Sequence, residues 1–148
     1  MTTSRSGGPG RRSGARGDLL DPRCPTRRLL DRIGTKWTSM VVKVLAEEEP
    51  GEVRFAELRR RIPGISQKML SVTLQSLARD GLVARRVEPT VPPAVHYRLT
   101  GLGLSLEGPL SALRVWAETH MSEIDRSNQL AEARQTCREE WEPPTAGR

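Results

Sequence analysis

The stretch Phe55-Ala56-Glu57-Leu58-Arg59-Arg60-Arg61-Ile62-Pro63-Gly64-Ile65-Ser66-Gln67-Lys68-Met69-Leu70-Ser71-Val72-Thr73-Leu74-Gln75-Ser76-Leu77-Ala78-Arg79-Asp80 decides the fold. Phe55, Leu58 and Ile62 recur at helical spacing. Pro63-Gly64 stops that helix and turns the chain. Ser66 suits an N-cap, and Leu70, Leu74 and Leu77 then fall on one side of a second helix. A helix, a tight glycine turn and a second helix predict a helix-turn-helix. Asp80-Gly81 closes the second helix. Leu82 to Val87 and Val95 to Leu99 read as two strands of a wing. The expected class is mainly α with a small β wing (α+β), a winged helix-turn-helix with extra N- and C-terminal dimerisation helices.

The second helix has two sides. Leu70, Leu74 and Leu77 point inward with Thr73 nearby, whereas Lys68, Val72, Gln75 and Arg79 point away. Ser71 lies at the margin and Gln67 at the start. A recognition helix presents its N-terminal residues to base edges in the major groove. Gln67, Lys68, Ser71, Val72 and Gln75 are therefore the base-facing candidates. Gln pairs with adenine, Lys with guanine, and Val72 touches a thymine methyl. Arg79, further along, suits a phosphate. Taken alone, the same pattern also describes an ordinary solvated helix face. In the wing, Arg85, Arg86, His96 and Arg98 are the candidates for phosphate or minor-groove contact. The loop Glu88-Pro89-Thr90-Val91-Pro92-Pro93-Ala94 carries three prolines and is expected to be stiff and extended.

Toward the N-terminus, residues 1–17 hold four arginines and no acid. Their composition gives too little apolar surface to order them, so residues 1–20 are expected to be a disordered basic arm. Cys24 then caps a helix whose first residue is Pro25. Leu29, Leu30 and Ile33 form its apolar side, and Gly34 ends it. Thr35 caps a further helix with a stripe of Trp37, Met40, Val41, Val44 and Leu45. Glu47 to Gly51 make a charged turn, and Val53 to Phe55 a very short strand.

Beyond the wing, Thr100 opens a long helix. Leu102, Leu106, Leu110, Leu113, Ala117, Met121 and Ile124 line it, with Trp116 alongside. Gly108-Pro109 should kink or split it. One small domain has little core to cover so long a stripe, so a second copy is expected to cover it. Leu29, Leu106, Leu110, Leu113, Trp116, Ala117 and Met121 are the candidate dimer contacts. A two-fold dimer would match a palindromic operator. Residues 21–125 would form the working domain. Residues 126–148 lose the pattern and should be weakly helical, then disordered.

The net charge of +6 is unevenly placed. Residues 53–98 carry nine bases and three acids, whereas residues 99–148 carry five bases and eight acids. The excess lies on the helix-turn-helix and wing, where a duplex would be met. No apolar run approaches the roughly 20 residues that cross a bilayer, and no secretory h-region follows the early arginines, so the chain is expected in the cytoplasm. His96 and His120 are the only histidines, and neither sits in a metal-binding or nucleophile motif. No enzyme activity, metal or cofactor is expected. A winged helix that has dropped DNA for a protein partner would lack the basic bias. Double-stranded RNA, with its narrow major groove, would exclude the recognition helix.

Several motifs in order resemble the HxlR-type winged helix-turn-helix regulators. They are Cys24-Pro25, then Leu30-Asp31-Arg32-Ile33-Gly34-Thr35-Lys36-Trp37-Thr38, Arg54-Phe55-Ala56-Glu57-Leu58, Pro63-Gly64-Ile65-Ser66-Gln67-Lys68-Met69-Leu70, Asp80-Gly81-Leu82-Val83 and Tyr97-Arg98-Leu99-Thr100-Gly101-Leu102-Gly103. The likeness spans roughly residues 24–122. It implies a dimeric repressor or activator whose first and last helices build the dimer. It also implies that some members sense quinones, aldehydes or oxidants through the cysteine matching Cys24. The residues themselves give a reason: a thiol at a helix N-terminus near Arg23, Arg27 and Arg28 is placed to favour the reactive thiolate. Cys24 is thus a candidate redox sensor. A packing cysteine, a regulator with a small-molecule effector, and a constitutive regulator are the alternatives.

Overall fold

The computed structural model describes residues 18–139. The expected basic arm falls almost wholly, and the last residues of the expected tail fall, outside the described residues. The elements are α1 (Pro25–Ile33), α2 (Lys36–Glu47), β1 (Val53–Arg54), α3 (Phe55–Arg61), α4 (Gln67–Arg79), β2 (Val83–Glu88), β3 (Ala94–Leu99) and α5 (Gly101–Glu139). The chain divides into two compact units at Leu104/Ser105.

The first unit is the expected winged helix-turn-helix. Pro25 occupies the first turn of α1 with Cys24 at the N-cap. The Thr35 hydroxyl accepts the Thr38 amide at the head of α2 (3.3 Å), and the Ser66 hydroxyl accepts the Met69 amide at the head of α4 (3.0 Å). Both caps satisfy helix donors that would otherwise be orphaned. Gly64 between α3 and α4 has φ +83°, a left-handed value that favours glycine. Gly34 ends α1 differently, at φ −72°. Its amide donates to the Leu30 carbonyl, and a Cβ there would lie 2.8 Å from that oxygen.

Leu58, Ile62, Ile65, Leu70, Leu74 and Leu77 are buried with Val53, Leu82, Val83, Tyr97 and Leu99. The helix-turn-helix thus closes on the sheet through the residues whose spacing singled them out. In α2 the one-sided stripe fails at two positions. Met40 is exposed and Val42 is fully buried, along with Val41, Val44 and Leu45. The reason is that α1, α3, α4 and β3 all pack on α2. A helix enclosed on several sides buries a wider arc than a surface helix does.

The sheet is antiparallel in the order β1-β3-β2. Val53 pairs with Tyr97, Arg85 with Tyr97, Arg86 with His96 and Ala84 with Arg98. The wing loop is folded rather than extended. The Thr90 amide donates to the Glu88 carbonyl at 2.8 Å and its hydroxyl to the Pro92 carbonyl at 2.9 Å.

Thr100 caps α5 by accepting the Gly103 amide. The second unit continues this helix from Ser105. Helix α5 runs unbroken through Pro109 to Glu139, so of the expected kink or split the split does not occur. The segment expected to be weakly helical is therefore regular helix as far as it is described. Every residue from Asp125 to Glu139 is exposed.

Candidate nucleic-acid interface

Helix α4 presents the sorted faces. Gln67, Lys68, Val72, Gln75 and Arg79 are exposed and Ser71 is half-buried, while Leu70, Thr73, Leu74 and Leu77 are buried. Beside them lies an open groove of about 800 Å³ between α4 and the hairpin. Its apolar lining is Phe55, Leu74, Ala78, Val95 and Tyr97, and its polar lining is Gln67, Ser71, Gln75, Arg79 and Arg85. Five of the residues chosen from sequence therefore share one concavity. The Phe55 and Tyr97 rings, 6.5 Å apart, brace it from α3 and β3.

The four wing candidates do not share one face of the hairpin. Successive strand residues face opposite sides. Arg85 points with Val95 and Tyr97 toward the groove. Arg86, His96 and Arg98 lie on the other face, where Arg86 forms a two-pronged pair with Glu52, its Nη2 2.7 Å from Oε2. That hydrogen bond holds the Glu52 carboxyl below its usual range and the Arg86 guanidinium above its own. His96 Nε2 lies 2.9 Å from Glu88 Oε2. Arg98 reaches the carbonyl of Leu99 at 3.5 Å. Among the described residues Lys68, Arg79 and Arg85 make no ion pair, which leaves their charge to solvent or to an anion.

Apolar spacing does not single out Arg59 and Arg60. Arg59 and Arg60 line a second opening with Phe55, Ala56 and Gln67, of about 550 Å³. Arg60 is held by Glu57, whereas Arg59 is exposed. The signal was the Arg59-Arg60-Arg61 run on the first helix of the motif, the helix that crosses the backbone in such folds. Arg61 instead bridges Glu47 and Glu48 at 2.8 and 2.5 Å.

Cys24 sits at the head of α1 as expected but is only 5% exposed. Arg23 is engaged by Asp21 at 3.3 Å, and the Arg23 amide and side chain hold that carboxyl below its usual range. Arg27 and Arg28 are exposed. Cys137 is exposed near the end of α5. Of the dimer candidates, Leu29, Leu113, Trp116 and Met121 are exposed, Leu106 and Ala117 are half-buried, and Leu110 is already buried within the single chain. Among the described residues no cluster of His, Cys, Asp or Glu could hold a metal, and no helix is long and apolar enough to cross a membrane.

Comparison with known proteins points one way. The sequence model of the family described as HxlR-like helix-turn-helix matches residues 32–125. Escherichia coli YtfH, named an uncharacterized HTH-type transcriptional regulator, is 39% identical over 108 residues, 73% of this chain and 83% of that one. The solved structure of the putative transcriptional regulator ytfH from Salmonella typhimurium is similar with TM-score 0.69 and 34% identity, covering 76% of this chain and 98% of that chain. The redox regulator HypR in its reduced form is similar with TM-score 0.59 and 36% identity, covering 69% and 98%.

Proposed function

The chain belongs to the HxlR-like helix-turn-helix family, and from that premise we propose that it binds a palindromic operator as a homodimer and reads it with α4. As a member it is a transcriptional regulator and not an enzyme. The observation that carries the DNA reading is the outward side of α4. Gln67, Lys68 and Gln75 are exposed over a leucine base, next to Arg79 and Arg85, which make no ion pair among the described residues. Gln67, Lys68, Ser71, Val72 and Gln75 would meet base edges, and Arg79, Arg85 and Arg59 the phosphates. The four arginines of residues 1–17 would add to the same attraction. Leu113, Trp116 and Met121 of α5 would be covered by the second copy.

Selection from random duplex DNA tests this. The expected product has two related half-sites about one helical turn apart, or a multiple of it, with affinity that falls steeply as salt rises. Failure to enrich any sequence, or salt-insensitive binding, would overturn the reading.

The position of Cys24 favours a second layer, response to an oxidant or electrophile. The thiol heads α1, one of the two helices proposed for the dimer, and the similar protein HypR is a redox regulator. Its burial means that a reagent reaches it when the head of α1 loosens. Modification there would shift the equilibrium between DNA-competent and incompetent arrangements.

A further inference from the structure

Recognition helix α4 ends in a corner, Asp80-Gly81-Leu82, that receives attachments from both α1 and the first turn of α5. Asp80 is the C-cap of α4, where a carboxylate faces the negative end of the helix dipole. Arg32, at the end of α1, answers it with a fork: Nη2 lies 2.7 Å from Oδ1 and Nε 3.1 Å from Oδ2. A planar two-pronged contact fixes direction as well as distance. From the other side the Thr100 hydroxyl donates to the Gly81 carbonyl at 2.6 Å, and the Thr100 amide to the Leu82 carbonyl at 3.1 Å. Gly103 presses closer still, since a Cβ there would lie 1.9 Å from the Leu82 oxygen. Gly81, with φ +74°, lets the chain turn between these contacts.

We propose that Arg32 and Asp80 are positioning residues for operator recognition, and that the corner passes changes in α1 or in the start of α5 to the base-facing side of α4. The proposal rests on the DNA reading above. The lever is long: Lys68 lies about 18 Å along the helix axis from Asp80 at 1.5 Å per residue. A tilt of about 4° at the corner therefore moves Lys68 by about 1 Å, enough to spoil a bidentate base contact.

The test compares Arg32→Gln, Asp80→Asn, Arg32→Lys and the charge-exchanged pair Arg32→Asp with Asp80→Arg, in the full chain. Affinity is read on the selected operator and on an unrelated duplex of equal length, and backbone amide shifts of α4 are read without DNA. Arg32→Gln and Asp80→Asn should each lose about tenfold on the operator and keep their affinity for the unrelated duplex. Their amide shifts should spread as far as Gln67. Arg32→Lys should lose less, and the exchanged pair should recover most of the operator affinity. Equal losses on both duplexes, shifts confined to the neighbourhood of residues 32 and 80, or no recovery in the exchanged pair would overturn the proposal. If the unaltered protein binds no duplex, the DNA reading fails while the amide shifts still decide whether the corner is coupled to the face of α4.

Discussion

Glu52 holds Arg86 by three hydrogen bonds on the face of the hairpin opposite Arg85, with Nε 3.1 Å from Oε1 and 2.9 Å from Oε2, and Nη2 2.7 Å from Oε2. Neighbours in sequence therefore face opposite sides of the hairpin. Arg85→Ala should weaken DNA binding across all sequences and flatten the salt slope by about one. Arg86→Ala should leave that slope unchanged and instead lower the melting temperature slightly.

The Arg86 effect has a pH signature. The Glu52 carboxyl is depressed in the folded chain, first by its hydrogen bond to Arg86. A depressed acid contributes stability above its unfolded pKa and loses it as the pH falls through its folded one. The melting-temperature gap between the parent and Arg86→Ala should thus be full at neutral pH and close as the pH drops below about 4. A gap that persists at pH 2 would show that packing, not charge, sets it.

Within α4, Gln75→Ala should relax preference at one base position per half-site, at a cost of about 1–3 kcal/mol for the preferred base. Arg79→Ala should lower affinity evenly across sequences. Sequence-resolved binding profiles distinguish the two. Identical profiles would mean that the division of this helix into base and phosphate contacts is wrong.

The core offers a contrast between two residues of α2. Val42→Ala should destabilise by about 2 kcal/mol, because it removes two buried methyl groups from a fully enclosed site. Met40→Ala, at an exposed position, should change stability by less than about 0.5 kcal/mol. Urea titrations monitored by Trp fluorescence measure both.

Oxidant response is checked by gel shift with diamide or a quinone. The parent should lose or gain operator affinity on treatment, and Cys24→Ser should hold its affinity constant. Cys137→Ser should respond like the parent. Unchanged sensitivity in Cys24→Ser would reject the sensor role.

The helix-turn-helix was legible because its signals are local. Leu70, Leu74 and Leu77 announce the buried side of α4 by spacing alone, and Ser66 and Gly64 mark its start. Arg85 and Arg86 look alike in sequence because the difference lies in Glu52, 34 positions from Arg86 and brought near by β1 pairing with β3. Met40 and Val42 depart from the stripe for a related reason. A stripe assumes one apolar side, and only the packing of α1, α3, α4 and β3 around α2 shows several. The length of α5 was hidden by composition. Past Asp125 its residues are mostly polar and carry no stripe, yet they suit a helix well.

That last stretch has a dynamic consequence. A helix with every residue from Asp125 to Glu139 exposed has no buried face among the described residues to slow its unwinding. Its amides should trade hydrogen for deuterium far sooner than those of Leu70 or Leu74, unless a second chain lies against it. The exchange rate along this one helix therefore reports directly on assembly, and does so without any DNA in the tube.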